Sequence, residues 1–421
     1  TQRIFGSITN GNFVNSPFVA TYAAQPNSPA YTADGEFEFY PAHFPNTSAG
    51  HLFNYNIVQG VFEERREAFA RQAIASAQVV YTPIEQITVT ILGGADVANT
   101  ESINERPPTI PAFAALNGQV LSDNRAILNW NSSATIGYSE TFADDHSVSV
   151  LLGAELKEET FKQTSATGRN FPNPALRLLN DAATPFAVGG TYTEWQRAGA
   201  FVRASYNFKQ KLYANGTFRR DGHSRFGAQN RVGDFWSVGA SYRIIEESFM
   251  QGVGFLEDLK LRFSYGVLGN ANGIGNYEAI SSFQGSRQYL GGAGQELTLA
   301  NDQLTWEESK QTNIGLDLGF FKNRISTSID FFRNDTGNQL FSVPLTDDSG
   351  FGNITSNVGE IRNQGIEIEL NTVNLDISGF KWTSSFNITF LENEVLSLPN
   401  DQDTIGTSLI VGQPVNFLWG V

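Results

Sequence analysis

The stretch AGAFVRASYNFKQKLYANGTFRRDGHSRFG, Ala198–Gly227, decides the fold class. Its residues alternate. Ala198, Ala200, Val202, Ala204, Tyr206 and Phe208 fall on one side, and Gly199, Phe201, Arg203, Ser205 and Asn207 on the other. After Lys209–Lys211, Leu212, Ala214, Gly216 and Phe218 oppose Tyr213, Asn215, Thr217 and Arg219. A period of two marks strands, and the short link makes them an antiparallel hairpin with one apolar and one polar face. The hairpin runs into FRRDGHSRFG, Phe218–Gly227, where three arginines, an aspartate and a histidine crowd together. In isolation that cluster suggests phosphate, nucleic acid or acid/base chemistry.

Working outward, the same alternation recurs. Trp236–Ile244, Leu259–Val267, Asn313–Phe320, Ile325–Phe331, Ile366–Asn371 and Lys381–Phe390 each carry apolar residues on one face. The opposite face is rich in Asn, Ser, Thr, Gly and charge. Strands of about ten residues match the span a tilted strand needs to cross a bilayer. A soluble sheet solvated on one side gives the same pattern, so the connections matter. Short links, Lys209–Lys211 and Phe321–Arg324, alternate with long polar ones, Asp221–Asp234, Gly269–Trp306, Asn334–Arg362 and Leu391–Val415. Glu246–Asp258 and Val373–Phe380 fall in the short series. Short turns at one end and long loops at the other describe an antiparallel transmembrane β-barrel with periplasmic and extracellular ends.

Before residue 200 the strands expected are Ile87–Gly94, Ala126–Tyr138 and Ser147–Glu155. EERREAFARQ, Glu63–Gln72, has helical propensity. The strand, turn, strand pattern of AQVVYTPIEQITVTILGG that follows makes strand the expectation there. The count comes to about thirteen or fourteen strands, an all-β class.

Composition narrows the function. The chain has 421 residues and a net charge of −15, which argues against nucleic acid as a partner. With no cysteine it has no disulfide or thiolate site, and its four histidines are scattered. Aromatics reach 12% and glycines 40, yet mean hydropathy is −0.24 and no run approaches a membrane-spanning helix.

At this point the residues resemble a family. FRRDGHSRFG, GDFWSVGASYRIIEESFM, LEDLKLRFSYGVLGNANGIGNYEA, LTWEESKQTNIGLDLGFF, RISTSIDFFRNDTGNQLF, NVGEIRNQGIEIELNT and FKWTSSFNITFLENEV are similar, in order, to the barrel of SusC/RagA-type TonB-dependent outer-membrane transporters. VGQPVNFLWGV resembles the opening of a late extracellular loop. The resemblance implies a barrel of about 22 strands around an N-terminal plug. Residues 1–421 would then form part of one barrel domain, with the plug and the C-terminal strands outside this chain. It also implies a place in the bacterial outer membrane among its lipids, and active import of an oligosaccharide or peptide. A SusD-like lipoprotein and TonB would be the partners, TonB binding through an N-terminal region not included here. An adhesin or carbohydrate-binding protein without transport is the alternative, and a barrel enzyme with active residues in its loops is a third.

No catalytic, cofactor or metal site is expected, and no cofactor is implied; the substrate-binding residues are left open. Asp144–Ser147 holds acid, base and hydroxyl types, but sequence neighbours do not converge into a triad. Gly266–Asn276 superficially resembles a phosphate loop without the Lys-Ser/Thr ending. Asp347–Gly350 lacks spaced calcium ligands. Glu367 and Glu369 read as lumen lining. Tyr277, Phe283, Tyr289 and Trp306 are free either to stack on sugars or to pack the loops. Arg219 is expected on the lumen side, paired with Asp221 or another carboxylate, Arg220 on the lipid side, and His223–Gly227 in the extracellular loop.

Overall fold

The computed structural model describes residues 2–3, 29–37, 56–173, 175–284, 295–399, 402–405 and 409–415. His43, His51, Tyr289 and most of the late-loop segment lie outside the described residues. The first strands are β1 (Gln2–Arg3), β2 (Arg65–Ile84), β3 (Ile87–Arg106), β4 (Gln119–Phe142) and β5 (His146–Arg169). Next come β6 (Thr184–Phe208), β7 (Leu212–His223), β8 (Val232–Arg243) and β9 (Leu256–Asn270). Beyond them lie β10 (Ser282–Gln284), β11 (Gln295–Thr298), β12 (Glu307–Phe320), β13 (Ile325–Gly337), β14 (Leu340–Pro344) and β15 (Asn353–Asn357). β16 (Glu360–Ile377), β17 (Phe380–Ser397), β18 (Thr404–Ile405) and β19 (Leu409–Ile410) complete the series.

Thirteen of these form one sheet in the order β1 to β9, β12, β13, β16, β17, so each strand neighbours the next along the chain. The pairs β10–β11, β14–β15 and β18–β19 are small separate hairpins. The all-β antiparallel fold and the strand number agree with the sequence reading.

Contacts divide the chain into two compact units. The first comprises Thr1–Ala75, Gly94–Trp130 and Glu159–Glu194. Within it, helix α1 (Ile57–Glu63) is capped by Asn56, whose side chain accepts from the amides of Val58 and Gln59 at 3.1 and 3.2 Å. The helical propensity of Glu63–Gln72 loses from Arg65 onward. There Glu67 and Ala68 pair with β1, and Arg65 donates to Glu105 of β3 at 2.8 Å. Ladder bonds and an ion pair to the neighbouring strand outweigh a few tenths of a kcal/mol of propensity per residue.

The second unit comprises Ser76–Gly93, Asn131–Glu158 and Trp195–Val421. Its register aligns the apolar residues into rows. One row runs Leu212, Tyr242, Leu261, Leu316, Ile329, Ile368, Ile388 from β7 to β17. The next is Ala214, Ala240, Phe263, Ile314, Phe331, Ile366, Phe390. The third, Gly216, Val238, Tyr265, Thr312, Arg333, Gln364, Glu392, turns polar at β12. The fourth stays apolar through Phe218, Trp236 and Val267, then reads Lys310, Asp335, Arg362, Glu394. The two rows nearer the short turns thus form a continuous apolar belt from β7 to β17, and the two nearer the long loops extend it only from β7 to β9, a band of the kind that faces the hydrocarbon in a transmembrane barrel. Among the described residues no helix is long and apolar enough to cross a membrane.

Three expectations need correction. First, β3 to β6 are 20, 24, 24 and 25 residues long, roughly twice the expected length. Past the belt both strand faces meet water, so segments such as Glu155–Gln163 carry no apolar period to reveal them. Second, β16 continues to Ile377, which shrinks the expected Val373–Phe380 link to Ser378 and Gly379, with Gly379 at φ +83°. Third, β7 runs to His223, which is strand rather than loop.

Candidate functional site

The polar face of the second unit is a set of ion-paired networks built across strands. Its centre is Arg262 on β9. Nε and Nη2 donate to Asp317 of β12 at 2.9 and 2.8 Å, and Nη1 and Nη2 donate to Asp330 of β13 at 2.9 Å each. Nη2 also donates to Ser328 at 2.9 Å, and the Ser328 hydroxyl donates to both aspartates. The guanidinium passes over Gly315, where a β-carbon would lie 2.5 Å from Arg262 Cζ. That glycine clears the path from β9 to β13.

Closer to the long loops, Arg219 of β7 binds Asp221 through Nε at 2.6 Å and Glu155 of β5 through Nη2 at 2.7 Å. The expected partner is confirmed, and Glu155 is the second carboxylate. Arg220, on the other face, lies 3.4 Å from Asp234 just beyond the apolar row. Both arginines therefore take the sides that alternation assigns.

Above this network an aromatic cluster closes the long-loop end. His223 stacks on Trp195 at 5.2 Å and meets Phe226 and Trp306 edge-on at 5.9 Å. Phe226, Phe235, Ile274, Leu304 and Trp306 share one buried core. The Trp306 indole donates to the Arg231 carbonyl at 3.1 Å. Trp306 packs the loops instead of offering a sugar-stacking face. The amide of Arg225 donates to His223 Nδ1 at 3.2 Å, which makes that nitrogen an acceptor. Burial, then the charges of Arg225 and Arg197, push the His223 pKa down to about 4, against an opposing pull from Asp221. His223 is therefore neutral at neutral pH.

The remaining candidates stay apart. Ala143–Asp145 is a turn with Ala143 and Asp144 at positive φ, and His146 opens β5, its Nδ1 2.7 Å from the Tyr206 hydroxyl. Gly266–Asn270 is the end of β9, leading into a loop. Asp347–Ser349 is a single 3-10 turn closed by Gly350 at φ +76°. Glu367 and Glu369 pair with β13 and β17 on the polar face, where Glu369 accepts from Asn371 at 2.7 Å. Tyr277 is partly exposed in the loop after β9, whereas Phe283 sits in the β10 hairpin. Among the described residues no three His, Asp or Glu side chains stand together as a metal site.

Sequence reasoning missed the Arg262 hub and Trp195. Strand register was the signal that would have found the hub, since it sets Arg262 opposite Gly315 with Asp330 beyond. Trp195 gave itself away only as an aromatic on the polar side of the β6 alternation.

Comparison with known proteins now bears on this sheet. Residues 3–418 match the family model described as TonB dependent receptor-like, beta-barrel. The chain belongs to that family. The receptor is 31% identical over 311 residues to TonB-dependent receptor P39 of Formosa agariphila, a match covering 72% of this chain and 30% of that protein. It is 32% identical over 212 residues to TonB-dependent receptor SusC of Bacteroides thetaiotaomicron, covering 48% and 21%. The structure of the RagAB peptide transporter superposes with a TM-score of 0.80 at 26% identity, covering 85% of this chain and 41% of that one. The receptor chain thus spans under half the length of these relatives, and the SusC/RagA resemblance holds.

Proposed function

We propose that the receptor, as part of its full-length protein, imports an oligosaccharide or peptide across the outer membrane. It acts with a SusD-like surface lipoprotein, and TonB drives it. The observation that supports this best is the division of the sheet's two faces. One carries two continuous apolar rows from β7 to β17, and the other is polar and carries ion pairs between β5 and β7 and between β9, β12 and β13. An adhesin needs neither a lipid-facing belt nor a hydrated, charge-lined reverse face. SusC and the RagAB peptide transporter, both matched by this chain, make import the reading of choice.

The test is uptake by cells that carry the full-length gene as their only copy. Labelled oligosaccharides and peptides are expected to enter, and entry to stop with an uncoupler or without TonB. Entry that persists in uncoupled cells sinks the proposal.

A further inference from the structure

We propose that a cavity on the outward face, just past the apolar belt, binds the phosphoethanolamine headgroup of a membrane lipid. The inference rests on the lipid-facing reading of the belt and is independent of what is imported. The cavity holds about 290 Å³ where β12, β13, β16 and β17 run out toward the long loops. Glu308, Lys310, Asp335, Glu360 and Ser397 line it, around Gly337. All of them continue the outward rows, because the register sets Gly337 between Glu308 and Glu360, with Ser397 next.

Gly337 makes the space. A β-carbon there would meet nothing within 4 Å, so the floor between the two glutamates is open. Asn357, at the foot of β15, forms part of the far wall. Its side-chain nitrogen donates to the carbonyls of Thr305 at 2.7 Å and Asn338 at 2.9 Å, and its side-chain oxygen accepts from the Thr305 amide at 2.8 Å. That wall is fixed before any ligand arrives.

Charge decides the ligand. Asp335 is taken by Arg362 Nε at 2.7 Å and by Arg333 Nε and Nη2 at 3.0 and 2.8 Å. Glu394 faces Arg362 across the register, so those four charges cancel. Glu308, Glu360 and Lys310 remain, and among the described residues none of their side chains has a hydrogen bond or ion pair. Arg362 feels Glu360 only as a longer-range attraction. Glu392, one row nearer the belt, accepts from Gln364 at 2.9 Å and adds to the negative side. The two glutamates flank one glycine at two strand spacings, about 10 Å between backbones, and repel each other. An ammonium group between them relieves that repulsion and offers three donors to their oxygens. A divalent cation fits less well, since it takes about six or more oxygens and Asp335 is already committed.

The order of charges along β12 matches the order of groups in the lipid. Outward from Ile314, the last apolar residue of its row, the strand presents Lys310 and then Glu308. A lipid whose tails lie on the belt presents its phosphate first and its amine beyond. On a strand tilted by about 40°, Lys310 stands about 10 Å past Ile314, and its flexible chain reaches back toward the phosphate. Phosphatidylcholine has no N–H to donate, and phosphatidylglycerol carries no cation for the glutamates.

The test takes the full-length receptor in mild detergent and adds equal amounts of phosphatidylethanolamine, phosphatidylcholine and phosphatidylglycerol of one chain length. Native mass spectrometry reads the lipid retained. Wild type is expected to keep phosphatidylethanolamine about tenfold over either competitor, and Glu308→Gln combined with Glu360→Gln to bring that ratio to about one. Heat-shifted gel mobility reports whether the variant barrel is folded. If it is not, Gly337→Leu, which fills the floor without changing a charge, takes its place and lowers the ratio in the same direction. Equal retention of the three lipids by wild type, or an unchanged ratio in a folded variant, overturns the proposal. Loss of the ratio on adding a chelator overturns it in favour of a bridging divalent cation. Displacement by soluble phosphoethanolamine at the lipid's own concentration overturns the lipid source in favour of a soluble amine. A receptor that retains no lipid of any kind overturns the proposal and the lipid-facing reading together, while cargo uptake, measured separately, decides the import reading.

Discussion

At the scale of single residues, Arg262 shows how a polar sheet face is made stable. One guanidinium bridges Asp317 and Asp330 on two neighbouring strands, offsetting half of their charge, and each member is partly exposed, between 17% and 30%. Removing the cation leaves two aspartates facing one another. Arg262→Ala is expected to lower the unfolding free energy by about 2 kcal/mol, less than a fully buried pair because water screens the aspartates. Urea unfolding of the full-length receptor in detergent measures it. Gly315→Ala is expected to do part of the same damage without touching a charge, because its methyl would stand where the guanidinium lies. His223 gives a pH dependence. Its folded pKa is about 4 against an ordinary 6.5, so between those values the unfolded state binds the extra proton and stability falls as pH drops. Above 6.5 both states are neutral and the penalty vanishes. The opening free energy of the amides near His223 and Trp306, from hydrogen exchange corrected for the intrinsic rate at each pH, should therefore fall from about pH 6.5 to about pH 4.5, by at most about 3 kcal/mol. In His223→Gln the slope should flatten; an unchanged slope assigns the effect elsewhere.

At the scale of the strand, position in the apolar belt decides what a charge costs. Ile329 sits in a row that is apolar across β9, β12, β13, β16 and β17, whereas Lys310 lies past the point where the outward row turns polar. Ile329→Arg is expected to destabilise the receptor by about 2–4 kcal/mol, and Lys310→Ala by less than about 0.5 kcal/mol. Refolding yields into lipid vesicles compare the two, and equal costs would deny that the belt meets hydrocarbon. Turns make a second case. Lys209 and Gln210 link β6 to β7 at φ +52° and +55°, in the left-handed region that non-glycine residues enter at a cost. Gln210→Gly is expected to raise stability by about 1 kcal/mol in the same unfolding assay. Alternation made β7, β9, β12, β13 and β17 legible in the sequence, because lipid on one side and water on the other enforce period two. The outer halves of β3 to β6 were illegible for the converse reason: water on both sides imposes no period.

At the scale of the whole molecule, the same physics sets what was readable in the site. Which face a residue takes follows from parity, so Arg219, Arg220, Glu367 and Glu369 were placed correctly from sequence. Which residues meet across strands follows from register and loop course. Arg262 with Asp330, Trp195 with His223, and His223 with Trp306 join segments from 28 to 83 residues apart, a convergence that no local pattern encodes. The balance of surface is also a whole-molecule property. Apolar side chains on the belt, such as Phe386, Phe390 and Phe263, are about half exposed, while the described buried core is small and confined to loops and strand ends. Buried core is what normally stabilises a soluble chain of this size, so most of the favourable burial here must come from hydrocarbon. The full-length receptor is therefore expected to give a β-sheet circular dichroism spectrum and a heat-shifted gel mobility in detergent micelles or vesicles. On removal of detergent it should lose both and precipitate. A protein that stayed monomeric, folded and soluble in plain buffer would show that the apolar rows are covered by protein, and the lipid-facing assignment would fall with it.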